Sequence, residues 1–171
     1  MKKGYIQVYT GNGKGKTTAA IGLAIRAAGA GMKVYFCQFL KGRQNSEIKI
    51  LKRLKNNISL HRSGRKSFVI DPEKCDFEYA RKCFSKVSRI IKNGKYNVVI
   101  LDEMNIATAF NLIKTNELVN VIKTRPIHVE IVLTGRYIPK EIIKIADLVT
   151  DMKEIKHYYS RGIKARKGIE M

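Results

Sequence analysis

The chain has 171 residues, 44% of them apolar, which suits one globular domain over residues 1–171 that needs no disulfide or metal staple to hold its core. No apolar run approaches the ~20 residues of a membrane span, and Met1-Lys2-Lys3-Gly4-Tyr5 enters a strand with no h-region behind it, so neither anchor nor signal peptide is expected and the cytoplasm is the expected compartment. The net charge of +20 would draw polyanions, yet the basic residues are scattered and lysine outnumbers arginine about two to one, as a compositional bias would also produce.

In chain order, Tyr5 to Tyr9 alternates as a strand and runs into a glycine-rich turn. Thr17 to Ala30 is rich in helix formers, with Gly29 and Gly31 as its stop. Lys33 to Leu40 is a continuous apolar run, the pattern of a strand buried on both faces. Ser46 to Lys55 predicts a short helix and Ile58 to His61 a short strand. Asp71-Pro72 predicts the start of a long helix to Asn93, with Asp71 as cap and proline in the first turn. Asn97 to Leu101 is a second buried strand, followed by Asp102-Glu103. Asn116 to Lys123 predicts a helix, Val129 to Leu133 a strand, Pro139 to Ile145 a helix and Leu148 to Asp151 a last strand. Strands alternating with helices imply an α/β fold, its sheet mostly parallel and covered on both faces. Such sheets bind ligands at the carboxyl ends of their strands, where Thr10 to Thr18 and Asp102-Glu103 both fall.

Gly11-Asn12-Gly13-Lys14-Gly15-Lys16-Thr17-Thr18 follows a strand and opens a helix, the context of a phosphate-binding loop. A triphosphate needs several backbone N–H groups pointing inward, and glycines let the chain wrap that closely. The helix N-terminus adds positive potential. Lys16 would set a point charge on the phosphates and Thr17 a hydroxyl on Mg²⁺ or Mn²⁺. Thr10 stands where the usual spacing has its first glycine, so the loop keeps its Gly15-Lys16-Thr17 end and can bend differently at its start. The paired carboxylates of Asp102-Glu103 are suited to holding the metal.

Cys37, Cys75 and Cys83 have no C-x-x-C spacing, which argues against a disulfide framework and a zinc site. Cys37 reads as a core residue, and Cys75 and Cys83 as two positions on one helix. His61, His128 and His157 are scattered, with no base paired to a nucleophile.

The stretch from Val8 to Gly42, with VVILDEMNIA from Val98, VLTGRYIP from Val132, ADLVTDMKEIKH from Ala146 and the tail SRGIKARKGIEM, resembles the ATP:corrinoid adenosyltransferases that act on cob(I)yrinic acid a,c-diamide and cobalamin. The likeness covers nearly the whole chain and is weaker from about Gln44 to Lys95. It implies a three-layer, RecA-like P-loop fold. It also implies a reaction in which a Co(I) corrinoid attacks C5′ of ATP and triphosphate leaves whole. By motif position, Gly11, Asn12, Gly13, Lys14, Gly15, Lys16, Thr17 and Thr18 would bind the phosphates. Lys16 and Glu103 would be the catalytic pair, Thr17 and Glu103 the metal ligands with Asp102 in support, and Arg136 a phosphate contact. Arg26 and Lys41 are further phosphate candidates. A homodimer and a reductase supplying Co(I) are the implied partners. The family's G-F-x-W segment is replaced by Ser63 to Phe68, where Phe68 could serve after a shift, and its tryptophan after QFIKG is absent at Arg43-Gln44-Asn45. The competing expectation is a nucleic-acid-stimulated P-loop ATPase, supported by the charge and opposed by the lack of aromatics interleaved with basic residues.

Overall fold

A computed structural model describes residues 1–42, 45–65, 69 and 71–170; Phe68, Arg43 and Gln44 lie outside them. Its elements are β1 (Ile6–Thr10), α1 (Lys16–Gly29), β2 (Val34–Gln38), α2 (Glu47–Arg53), β3 (Ile58–Arg62), α3 (Lys74–Asn93), β4 (Val98–Asp102), α4 (Met104–Ala109), α5 (Thr115–Lys123), β5 (Glu130–Thr134), α6 (Lys140–Ile145) and β6 (Leu148–Asp151), with a 3₁₀ turn at Tyr158–Arg161. The six strands form one all-parallel sheet in the order β3-β2-β4-β5-β1-β6.

Burial follows the sequence pattern. All five residues of β2, β4 and β5 are buried, β1 alternates, and the edge strand β6 is exposed throughout. The two faces carry separate cores. Val34, Phe36, Val98, Ile100 and Val132 pack with Ala20, Ala24 and Ala27 of α1 and Leu51 of α2. These small residues, spaced i, i+4, i+7, put one flat stripe of the helix against the strands. On the opposite face Tyr35, Cys37, Val99, Leu101, Ile131 and Leu133 meet Ala80, Cys83, Phe84, Val87 and Ile91 of α3 and Leu118 and Ile122 of α5. Cys37 is thus a core residue, its Sγ 3.3 Å from that of Cys83; Cys75 and Cys83 share α3.

The long helix starts later than Asp71-Pro72 predicts. Glu73 is its cap, in a reciprocal capping box with Asp76, which satisfies two end N–H groups that an Asp71 start would leave without partners. α4 and the 3₁₀ turn were not expected from the sequence.

The strand order positions the site. α1 carries the chain from β1 over β5 and β4 to reach β2, so β5 separates the two strands that end in the glycine loop and in Asp102. Their carboxyl ends open on the same side of the sheet, with the end of β5 bridging them.

Candidate active site

The loop leaves β1 at Thr10, whose carbonyl accepts from Met152 N at 2.9 Å. Gly11 (φ 95°) and Gly15 (φ 120°) take left-handed backbone that only glycine adopts without strain. A side chain at Gly11 would collide with Asp151 and Met152, and one at Gly13 with the Met152 and Lys153 carbonyls. Close passage of the chain beyond β6 therefore demands these glycines, and Gly13 N donates to Met152 O at 2.6 Å. Lys16, the first residue of α1, donates from Nζ to the carbonyls of Gly11 and Gly13, both at 2.6 Å. Burial first, then the Arg136 guanidinium, hold its pKa below that of an ordinary lysine. Arg136 Nη2 donates to Asn12 O at 3.1 Å, so a side chain two residues beyond β5 reaches the loop.

Asp102, at the end of β4, is wholly buried. Its Oδ1 accepts from Thr17 Oγ1 (2.9 Å) and Thr134 Oγ1 (2.6 Å), its Oδ2 from Gln38 Nε2 (3.0 Å) and Lys41 Nζ (2.8 Å). The ends of three strands, β2, β4 and β5, and the first turn of α1 are tied through one carboxylate. Burial opposes its ionisation, but Lys41 and then the Thr134 and Thr17 hydroxyls outweigh it and keep its pKa below the usual value.

Lys41 Nζ also donates to Thr17 Oγ1 at 2.9 Å and lies 3.3 Å from Glu103 Oε1. Burial works against its charge, yet attraction to Asp102 and Glu103 prevails and raises its pKa above the ordinary lysine value. Glu103 itself is 21% exposed and faces the cleft, and its N–H donates to Thr134 Oγ1.

Among the described residues, four non-glycine residues have positive φ, and three of them follow strand ends at this site: Leu40 (56°), Glu103 (62°) and Tyr137 (58°). Left-handed backbone at such residues costs of order 1–3 kcal/mol each and clusters at functional positions. Here it turns the chain out of β2 and β4 sharply enough to aim Lys41 and Glu103 at one place.

A cleft of about 850 Å³ opens over the loop, lined by Asn12 to Thr18, Lys41, Glu103, Ile106 and Arg136 and, on its far walls, by Glu47, Ile50, His157 and Gly168 to Glu170. The tail is held there by a polar knot. Lys14 Nζ donates to Tyr158 OH (2.8 Å) and Glu170 Oε1 (2.9 Å), and Arg166 bonds Glu170 while stacking on the Tyr158 ring.

The structure therefore gathers Asn12 to Thr18, Lys41, Glu103 and Arg136 around one cleft, with Asp102 buried beneath it and Gly11 in the loop behind. Arg26 is not among them: it lies in the last turn of α1, roughly 15 Å along the axis from Lys16. Thr17 meets Asp102 directly, rather than Glu103. His61 is beside Lys86 and His128 bonds Gly94 O. Sequence reasoning missed Thr134 and Gln38 on the buried carboxylate, and His157 and the tail on the cleft wall; the tail's only signal was its motif.

A parallel sheet with a glycine loop at the end of β1, a lysine and threonine opening α1, and a buried aspartate two strands away define a P-loop NTPase-like fold. The sequence model of ATP:corrinoid adenosyltransferase BtuR/CobO/CobP matches residues 2–171. The chain belongs to this ATP:corrinoid adenosyltransferase family. It is 34% identical over 172 residues to the corrinoid adenosyltransferase of Escherichia coli K12, covering 99% of this chain and 86% of that one. It is 33% identical over 171 residues to that of Pseudomonas aeruginosa (99% and 84%), and 32% over 170 residues to the corrinoid adenosyltransferase CobA of Salmonella typhimurium (99% and 86%). This membership does not favour the alternative of a nucleic-acid-stimulated ATPase. Among the described residues, no helix is long and apolar enough to cross a membrane.

Proposed function

We propose that residues 1–171 form one catalytic domain that transfers the 5′-deoxyadenosyl group of ATP to the Co(I) of cob(I)yrinic acid a,c-diamide or cob(I)alamin. The carrying observation is one cleft lined by the loop residues Asn12 to Thr18 and by Glu103, with Asp102 buried beneath it on Thr17, in a chain matched by the family over residues 2–171.

In this reaction the electron pair of Co(I) forms the Co–C5′ bond as the C5′–O bond breaks, and that bond's pair leaves with triphosphate. The nucleophile is the substrate, so the protein need not abstract a proton. Its work is to hold C5′ in line and to stabilise charge growing on the departing triphosphate. The N–H groups of Gly11 to Thr18 cradle the phosphates, with Lys16 as the principal charge and Lys14 and Arg136 at the rim. To reach a phosphate, Lys16 exchanges the loop carbonyls of Gly11 and Gly13 for phosphate oxygens.

The residues also fit Mg²⁺ or Mn²⁺. Thr17 Oγ1, Asp102 Oδ2 and Glu103 Oε1 already converge on one positive nitrogen, that of Lys41, at 2.9, 2.8 and 3.3 Å, and hard divalent cations take such oxygen sets. Thr17 and Glu103 would hold the metal, with Asp102 orienting Thr17; phosphate oxygens and water would complete the shell. When bound, the metal supplies further positive charge to the triphosphate.

A cytoplasmic homodimer served by an electron-donating reductase completes the reading, and the +20 charge suits an acidic partner. The test is an anaerobic assay with ATP, Mg²⁺ and chemically reduced cob(I)alamin. Adenosylcobalamin with triphosphate and without ADP is the expected outcome. ADP release stimulated by DNA or RNA, with both corrinoids inert, would overturn it.

A further inference from the structure

The ammonium of Lys41 stands among the oxygens that the reading above gives to the metal. Its placement is built by the backbone. Left-handed Leu40 turns the chain out of β2, Lys41 N donates to Ser63 O (3.1 Å), and Gly42 N donates to Arg65 O (3.0 Å). Gly64 passes so close that an added Cβ would fall 2.7 Å from the Leu40 carbonyl carbon and from Lys41 N. The main chain is clamped, while the four-carbon side chain keeps rotatable bonds and borders the cleft.

We propose that Lys41 is an exchangeable counter-ion: its ammonium and a divalent cation compete for Thr17, Asp102 and Glu103, and the incoming metal turns Lys41 toward the triphosphate. This rests on the assignment of Thr17 and Glu103 as metal ligands. Charge balance makes the exchange obligatory. Asp102 is wholly buried, and its other donors, Thr17, Thr134 and Gln38, are neutral. If Lys41 left alone, a buried carboxylate would stay uncompensated, a costly state; if a metal entered alone, it would meet a positive charge at contact distance. The two events are therefore coupled. The displaced ammonium then turns into the cleft that it borders, toward the phosphate oxygens over the loop. Lys14 and Lys16 differ from it, being held by Glu170 with Tyr158 and by the loop carbonyls.

The consequence is cooperativity. Metal binds weakly to the protein alone because it must evict Lys41. It binds more tightly with triphosphate present, which receives the evicted charge, and by linkage the triphosphate gains equally from the metal.

The experiment is a titration with Mn²⁺, followed by electron paramagnetic resonance, on wild type and Lys41→Met with and without inorganic triphosphate. Without triphosphate, the variant is expected to bind Mn²⁺ roughly tenfold or more tightly than wild type, and adding Glu103→Gln cancels the gain. With triphosphate, the Mn²⁺–triphosphate coupling is severalfold smaller in Lys41→Met than in wild type, leaving the part that direct coordination of the metal by phosphate supplies. Equal Mn²⁺ affinities overturn the exchange and leave the metal assignment standing. Absence of Mn²⁺ binding to either protein, even with triphosphate, removes the metal assignment and the exchange with it. A wild-type readout guards against a misfolded variant: acetylation of Lys41, followed by mass spectrometry, rises severalfold on adding Mn²⁺, and an unchanged rate overturns the exchange.

Discussion

Thr17 and Asp102 lie 85 positions apart in the chain, yet Thr17 Oγ1 donates to Asp102 Oδ1 at 2.9 Å. The bond joins the first turn of the loop helix to the end of a strand two places away in the sheet. Thr134, on the intervening strand, donates to the same oxygen. Shifting β4 against β5 by one residue would point Asp102 to the other face and break both bonds. The register of the core thus fixes the geometry of the site.

Asp102→Asn keeps the shape and removes the charge, leaving Lys41 with Glu103 alone. Breaking a buried pair in this way costs about 3–5 kcal/mol, so the urea midpoint should fall substantially. Because the folded pKa of Asp102 is depressed, its stabilisation is complete above the ordinary aspartate value and is lost as pH falls through the folded value. The gap between wild type and variant should stay constant from neutral pH to about pH 5 and close in stronger acid. A gap that does not depend on pH would show that the carboxylate's charge is not what stabilises the fold.

Lys16→Ala removes the loop's central charge. ATP turnover should drop roughly 10²-fold or more, with thermal stability near that of wild type because no core contact is lost. Since burial and Arg136 lower the pKa of Lys16, wild-type kcat/KM for ATP should decline on the alkaline side before the ordinary lysine value is reached, as the ammonium loses its proton. Near-normal turnover in the variant would remove Lys16 from the phosphate site.

The glycine loop was legible because it is contiguous and its chemistry is local: strand, glycines, lysine, hydroxyl and helix stand in one run. The buried strands were legible for a similar reason, since Val34 to Cys37 and Val98 to Leu101 are unbroken apolar stretches. Met104–Ala109 was not, because six residues are too few to display a helical period. The start of α3 was misread because Asp71-Pro72 is a strong local signal, whereas Glu73 caps through a reciprocal bond visible only in three dimensions. Lys41 and Thr134 reach Asp102 through strand order, which hydropathy does not encode. The tail's approach to Lys14 joins positions 156 apart, beyond any pattern in the chain.

Glu103 combines a left-handed backbone with a carboxylate in the cleft. Two replacements separate these properties. Both Glu103→Ala and Glu103→Gly lose the ion pair with Lys41, but only glycine relieves the backbone. Glu103→Gly should therefore be the more stable by roughly 1 kcal/mol, read by urea denaturation. Both should need more Mg²⁺ to reach half-maximal activity. Equal stabilities would argue that the backbone relaxes at no cost, and an unchanged Mg²⁺ titration would remove Glu103 from the metal.

Residues 166–170 contribute a wall to the cleft and no side chain to either core. Their attachment is a surface cluster: Glu170 with Lys14, Tyr158 and Arg166. Exposed ion pairs of this kind add little to stability and weaken with salt. Ending the chain after Ala165 should accordingly leave the unfolding temperature almost unchanged. It should also open the cleft, so that ATP binds more weakly, by roughly tenfold if the tail supplies two or three contacts worth about 0.5 kcal/mol each. Calorimetric titration with ATP and a thermal scan read the two quantities separately. Full ATP affinity in the truncated protein would place the tail outside the working site, and a large fall in unfolding temperature would make it part of the structural frame instead.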